Sequence, residues 1–208
     1  MVNWQNKRVT VIGLGRSGLA SAKYLKQRGA DVFVSESMPE DKVYGVIKSE
    51  LQNHGISVEY GGHSDEAINR AELFVVSPGI PPTSPVIQKA QGTGFEVIAD
   101  IEVAFRDLDV PIIGITGTNG KSTTTSLISY ILEKDGKRAP VCGNIGVPIL
   151  SLADQELDFL VCEVSSFQLQ YAPTYAPDIS VWLNPPPDHL DWHANLDEYI
   201  DAKKRMFS

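Results

Sequence analysis

An α/β fold built from two parallel-sheet domains is predicted by three observations. Short β-branched runs alternate with helical patterns along the chain, the order expected of parallel sheets. Two of those runs enter glycine turns that open directly into a helix: Gly13-Leu14-Gly15-Arg16-Ser17-Gly18 and Gly117-Thr118-Asn119-Gly120-Lys121-Ser122. Between them, Asp107-Leu108-Asp109-Val110-Pro111 reads as a hinge, dividing the chain into 1–108 and 109–208.

The bulk properties narrow the function classes. A chain of 208 residues holds two modest cores. A net charge of −8 argues against a nucleic-acid or anionic-membrane surface, but a phosphate site needs only a few convergent donors. No apolar run approaches the ~20 residues that span a bilayer. The start, Met1 to Lys7, lacks a signal-peptide apolar region, so a cytoplasmic location is expected. Cys142 and Cys162 lack metal-ligand spacing and read as buried reduced thiols.

In the first domain, Arg8 to Ile12 is a strand, the glycine turn follows, and a helix carries Leu19, Ala22 and Leu25 until Gly29. The next strand, Asp31 to Ser35, delivers Glu36 about twenty residues past the glycines, where a dinucleotide-type fingerprint places a ligand-binding acid. This makes the domain Rossmann-like; a glycine-tight packing turn without ligand is the competing reading. Lys42 to His54 reads as a helix and Ile56 to Tyr60 as a strand. Leu73 to Val76 is a buried strand ending in Ser77-Pro78-Gly79-Ile80, either a ligand-facing turn or a proline-stiffened loop. Ser84 to Gln91 reads as a helix, Phe95 to Ile98 as a strand, and Asp100 to Arg106 as a last helix.

The second domain centres on Ile112 to Thr123. A buried strand, a glycine loop, Lys121-Ser122 and a helix with Leu127, Ile128, Ile131 and Leu132 on one face form a P-loop NTPase-type arrangement. Backbone N–H groups converge on phosphate oxygens, Lys121 reaches the terminal phosphates, and Ser122 is placed for Mg²⁺. The strict phosphate-loop pattern is not met, because Ile115 stands where its first glycine belongs. A polar turn with a solvated lysine is the alternative. Gly143-Asn144-Ile145-Gly146 implies a tight turn presenting an amide, with a purely structural turn as competitor. Leu157 to Val164 is a strand carrying Glu163 at its end, the expected place for a second metal contact. Ile179 to Asn184 is a further strand, running into Pro185-Pro186-Pro187-Asp188-His189. A helix over Leu196 to Phe207 carries Lys203, Lys204 and Arg205.

Taken together, Gly13–Gly18, Ser77–Ile80, Gly117–Thr123, Gly143–Gly146, Glu163–Leu169 and Asp188–Asp191 occur in the order found in the Mur ligases, and the set resembles their D-glutamate-adding branch. The resemblance implies a cytoplasmic, ATP-dependent step of peptidoglycan synthesis, central to cell shape and division. The carboxylate of UDP-MurNAc-L-alanine is phosphorylated, and the amine of D-glutamate attacks the acyl phosphate. By resemblance, Arg16, Ser17, Glu36 and Ser37 hold UDP, with Ser77, Pro78 and Gly79 nearby. Asn144, Ser165 and His189 face the sugar-peptide part. Gly117, Thr118, Asn119, Gly120, Lys121, Ser122 and Thr123 hold ATP. Ser122, Glu163, His189 and a carbamylated Lys203 serve Mg²⁺, so Lys121, Glu163, His189 and Lys203 form the catalytic set. The triple proline departs from the family's usual pattern beside His189.

The resemblance also implies that the chain corresponds to the first domain and about half of the second. An exposed sheet edge, and with it self-association, is therefore expected. The chain acting as a non-catalytic nucleotide-sugar-binding module is the alternative from another class. A nicotinamide-dependent oxidoreductase would leave Lys121, Glu163 and His189 without a role.

Overall fold

The computed structural model describes residues 2–184 and 196–207. They form two compact units, Met1–Asp100 and Ile101–Ser208.

In the first unit, strands β1 (Arg8–Ile12), β2 (Asp31–Ser35), β3 (Ser57–Glu59), β4 (Leu73–Val76) and β5 (Val97–Ala99) form one parallel sheet, ordered β3-β2-β1-β4-β5. The apolar runs of β1 and β4 are buried in full apart from Arg8, as expected of strands covered on both faces. Helices α1 (Arg16–Gln27), α2 (Gly45–Asn53), α3 (Asp65–Asn69) and α4 (Pro85–Gly92) connect them. The expected helix over Lys42 to His54 is a 3-10 turn at Glu40–Lys42 followed by the shorter α2. Glycine at the first position of α2 and the extended Tyr44 before it delay the start. Helix α3, too short to show periodicity, is marked by Ser64, whose hydroxyl accepts from the Ala67 N–H at 3.2 Å.

The chain changes unit at the start of α5 (Asp100–Asp107). Glu102 on this helix is fully buried; its carboxylate accepts from Arg106 Nε at 2.7 Å and from the N–H and hydroxyl of Thr174. That charge-assisted cluster fixes α5 within the second unit.

In the second unit, β6 (Ile112–Thr116), β7 (Val141–Gly143), β8 (Leu160–Glu163) and β9 (Ile179–Trp182) form a parallel sheet ordered β7-β8-β6-β9. In the central β6/β8 pair, Ile115 lies opposite Glu163. Helix α6 (Lys121–Lys134) follows the Gly117–Gly120 loop, but its buried face differs from expectation. Thr125 and Ser129 are buried, with Ile128 and Leu132 packed beside them, whereas Leu127 and Ile131 are exposed. The hydroxyls make this possible: Thr125 donates to Lys121 O at 2.8 Å and Ser129 to Ala139 O at 2.7 Å, so small polar residues face the sheet without an unpaired group. Helices α7 (Ser166–Gln170) and α8 (Leu196–Lys204) complete the unit, and α8 ends in a 3-10 turn, Arg205–Phe207. Cys142 and Cys162 are buried free thiols on neighbouring strands.

Candidate functional site

The second unit brings the loop and the strand-end acid together. Gly120 is the left-handed N-cap of α6, φ 84°, and turns the loop into the helix. Ser122 Oγ then donates to Glu163 Oε2 at 2.8 Å. Asn144 Nδ2 donates to the other carboxylate oxygen, Oε1, at 2.8 Å. Glu163 is 1% exposed, so a buried carboxylate is held from two sides beside the Gly117–Gly120 loop. Asn144 reaches it because β7 lies tight against β8. A Cβ at Gly143 would stand 2.4 Å from Glu163 O and 2.7 Å from Cys162 Sγ, and φ there is +90°. Only glycine fits both constraints. The amide of Asn144 is thus directed at Glu163.

The loop's own donors are engaged internally. Lys121 Nζ donates to the carbonyls of Gly117 at 3.0 Å and Thr118 at 2.9 Å. Asn184, just past β9, accepts from the N–H groups of both Thr118 and Asn119 at 3.0 Å and donates to Asn119 O at 2.9 Å. The loop also meets α8, where Tyr199 Oη and Thr118 Oγ1 lie 2.7 Å apart. Lys203, one turn further on, is buried with Nζ 4.3 Å from the Tyr199 ring centroid. Sequence reasoning singled out neither Asn184 nor Tyr199; the signal for Asn184 was an amide at the carboxyl end of a strand next to the loop. Ser165 serves α7 directly, in a reciprocal capping box with Gln168. Thr123 is exposed on the first turn of α6. His189 lies outside the described residues, as do Pro185–Pro187.

In the first unit, the glycine turn and the Ser77 turn form one structure. Ser77 Oγ donates to Gly13 O at 2.9 Å. A Cβ on Gly18 would stand 2.0 Å from Gly13 O and 2.5 Å from Ser77 Oγ, so α1 packs on the turn only because that position has no side chain. Pro78 and the exposed Gly79 continue the turn at the carboxyl edge of the sheet. Glu36 is buried and closes the turn from the other side: Oε2 accepts from the Leu14 N–H at 2.5 Å, and Oε1 from Met38 N at 2.7 Å and Ser37 Oγ at 3.2 Å. Arg16 and Ser17 open α1, whose first turn carries no acid to oppose an anion.

Both halves match known families. Residues 7–99 match the MurD-like N-terminal domain of Mur ligases, and residues 115–208 match the Mur ligase middle domain. The chain belongs to the Mur ligase family. A UDP-N-acetylmuramoylalanine--D-glutamate ligase of Acidobacterium capsulatum is 43% identical over 206 residues, covering 98% of this chain and 44% of the relative. The enzyme of that name from Syntrophotalea carbinolica is 41% identical over 208 residues, covering 100% and 46%. The chain therefore spans under half the length of these Mur ligase relatives. The same fold occurs in the UDP-N-acetylmuramate:L-alanyl-gamma-D-glutamyl-meso-diaminopimelate ligase of Neisseria meningitides, at 20% identity and a TM-score of 0.61, covering 96% of this chain and 67% of that one. Among the described residues no helix is long and apolar enough to cross a membrane.

Proposed function

We propose that this chain forms the UDP-substrate and ATP-phosphate sites of a ligase that joins D-glutamate to UDP-MurNAc-L-alanine. The observation that carries the reading is the Ser122–Glu163 hydrogen bond, which joins the phosphate loop to a buried strand-end carboxylate in a chain 43% identical to a ligase of that name. The reaction has two steps. A carboxylate oxygen of UDP-MurNAc-L-alanine attacks the γ-phosphorus of ATP, and the bond to the β-phosphate oxygen breaks to release ADP. The amine of D-glutamate then attacks the acyl-phosphate carbon, inorganic phosphate leaves, and the nitrogen loses a proton to give the amide. Converting a carboxylate into an acyl phosphate supplies the leaving group that it lacks.

Each residue has a role in this scheme. Lys121 leaves the loop carbonyls for the terminal phosphates, and Asn184 yields the Thr118 and Asn119 N–H groups to phosphate oxygen. The hard oxygens of Ser122 and Glu163 fit Mg²⁺, which when bound offsets the charge between phosphate and carboxylate. His189 and a carbamylated Lys203 are the further ligands implied by the family. Arg16, Ser17, Glu36 and Ser37 take the UDP moiety at the start of α1, beside Ser77–Gly79, while Asn144 and Ser165 face the sugar-peptide part.

Titration of the 208-residue chain with UDP-MurNAc-L-alanine, followed by an ADP-release assay with ATP, Mg²⁺ and D-glutamate, tests the reading. Saturable binding of UDP-MurNAc-L-alanine without ADP release is the expected result for a chain that spans under half the length of its relatives. D-glutamate-dependent ADP release would show that the chain is active by itself, and absence of binding would overturn the proposal.

A further inference from the structure

Two sulfur side chains that the ligase reading does not use stand side by side in the sheet of the second unit. Cys142 on β7 is the register partner of Cys162 on β8; both are fully buried and outside any disulfide. Register partners on neighbouring strands project to the same face of a sheet. Cys162 Sγ also leans toward β7: a Cβ on Gly143, the residue after Cys142, would stand 2.7 Å from it. Strand β7 has three residues and lies at the edge of the sheet.

The strand spacing decides what the pair can bind. Neighbouring strands run about 4.8 Å apart, and side chains that project in parallel keep their Cβ atoms near that distance. Asn144 N–H to Glu163 O at 2.9 Å and Val161 N–H to Pro140 O at 3.1 Å hold the spacing on either side of the pair. A disulfide needs Cβ atoms about 3.8 Å apart, so it would draw β7 onto β8 by about 1 Å and compress both bonds. A cation bound linearly fits without that movement, because two metal–sulfur bonds of about 2.3 Å span about 4.6 Å. Thiolate ligands select soft cations. Zn²⁺ takes four ligands, and among the described residues no third His, Cys, Asp or Glu joins the two sulfurs in a metal-binding group. Entry does not require the sheet to unfold, since a short edge strand opens locally at low cost and exposes both sulfurs at once.

We propose that Cys142 and Cys162 form a two-coordinate site for a soft, thiophilic cation of the Cu(I) class, held between β7 and β8. On binding, each thiol gives its proton to solvent and its sulfur forms one bond to the cation; no electron is transferred. Cys162 directly precedes Glu163, and Cys142 lies two residues before Asn144. The bound ion therefore clamps the two strands that bring the Asn144 amide to the Glu163 carboxylate. The ligase reading assigns neither sulfur, so the test does not depend on it.

Titration of the reduced 208-residue chain with Cu(I), buffered by bicinchoninate without oxygen, tests the site. One equivalent should bind per chain, and X-ray absorption should show two sulfur neighbours alone. The melting temperature should rise, because the folded chain binds the ion more tightly than the unfolded one. Cys142→Ser and Cys162→Ser should each weaken binding by at least about a hundredfold, beyond what loss of an outer-shell partner costs. Circular dichroism reports whether the variants are folded; if they are not, the melting shift and absorption spectrum of the unaltered chain carry the test. A lowered melting temperature, half an equivalent per chain, binding as tight in urea as in buffer, or nitrogen or oxygen bound to the ion would overturn the proposal. So would an intrachain disulfide formed readily with a mild oxidant, since the strands would then close to the shorter spacing.

Discussion

Ser122 Oγ donates to Glu163 Oε2 across 2.8 Å, joining the first turn of α6 to the end of β8. The contact makes the start of α6 and the acid a single unit: moving either changes the hydrogen bonding of the other. Ser122→Ala deprives a buried carboxylate of a donor and should cost about 1–3 kcal/mol of stability, measured by urea denaturation. Glu163→Gln retains the shape and removes the charge. It should weaken Mg²⁺-dependent ADP binding by at least about tenfold while leaving metal-free ADP binding nearly unchanged, as read by calorimetry with and without EDTA.

Asn184 competes for the N–H groups that the proposed phosphate site uses. Asn184→Ala should lower the melting temperature slightly and tighten ADP binding by a few-fold, roughly the value of a hydrogen bond exchanged. Weaker binding in this variant would make Asn184 a brace for the loop instead.

Gly18 is the most crowded of the first unit's glycines. In Gly18→Ala the new methyl meets a backbone carbonyl, which cannot rotate away. The variant should lose about 3 kcal/mol and bind UDP poorly, as followed by thermal denaturation and titration.

Two of the lowered pKa values in the first unit, those of the part-buried His63 and Glu59, give a pH dependence of stability. The folded-state pKa of His63 lies below the unfolded value of 6.5, chiefly through burial. That of Glu59 lies below 4.5, because its hydrogen bonds outweigh burial. In both cases the unfolded chain takes up the proton first, so each contributes stability that is present above its unfolded pKa and lost as pH falls toward its folded pKa. The melting temperature should decline as pH drops below about 6.5 and again below about 4.5. His63→Gln should flatten the first decline and leave the second.

The sheets were the most legible part of the sequence, because β-branched runs between glycine turns admit few alternatives. Leu73–Val76 and Ile112–Thr116 are strands as their apolar runs predict. Helix α6 was placed correctly, but its buried face was not. An apolar count favours Leu127 and Ile131, whereas the sheet accepts Thr125 and Ser129 through their hydroxyls. The juxtaposition of Ser122 with Glu163 was readable because the two stand at a helix start and a strand end. The roles of Asn184 and Tyr199 were not, since their partners lie far away in the chain and depend on which strands are neighbours.

The opposition of Ile115 and Glu163 in neighbouring parallel strands works as a ruler. Successive residues of a strand point to opposite faces, so adding or deleting one position between Leu160 and Cys162 would swing the carboxylate away from Ser122. Asp158 and Phe159, just ahead of the strand, are held by backbone bonds to Arg138, and Phe159 packs on the core, whereas the irregular stretch before Asp158 carries no such graduation. Length variation should therefore be tolerated ahead of Asp158 and stop there.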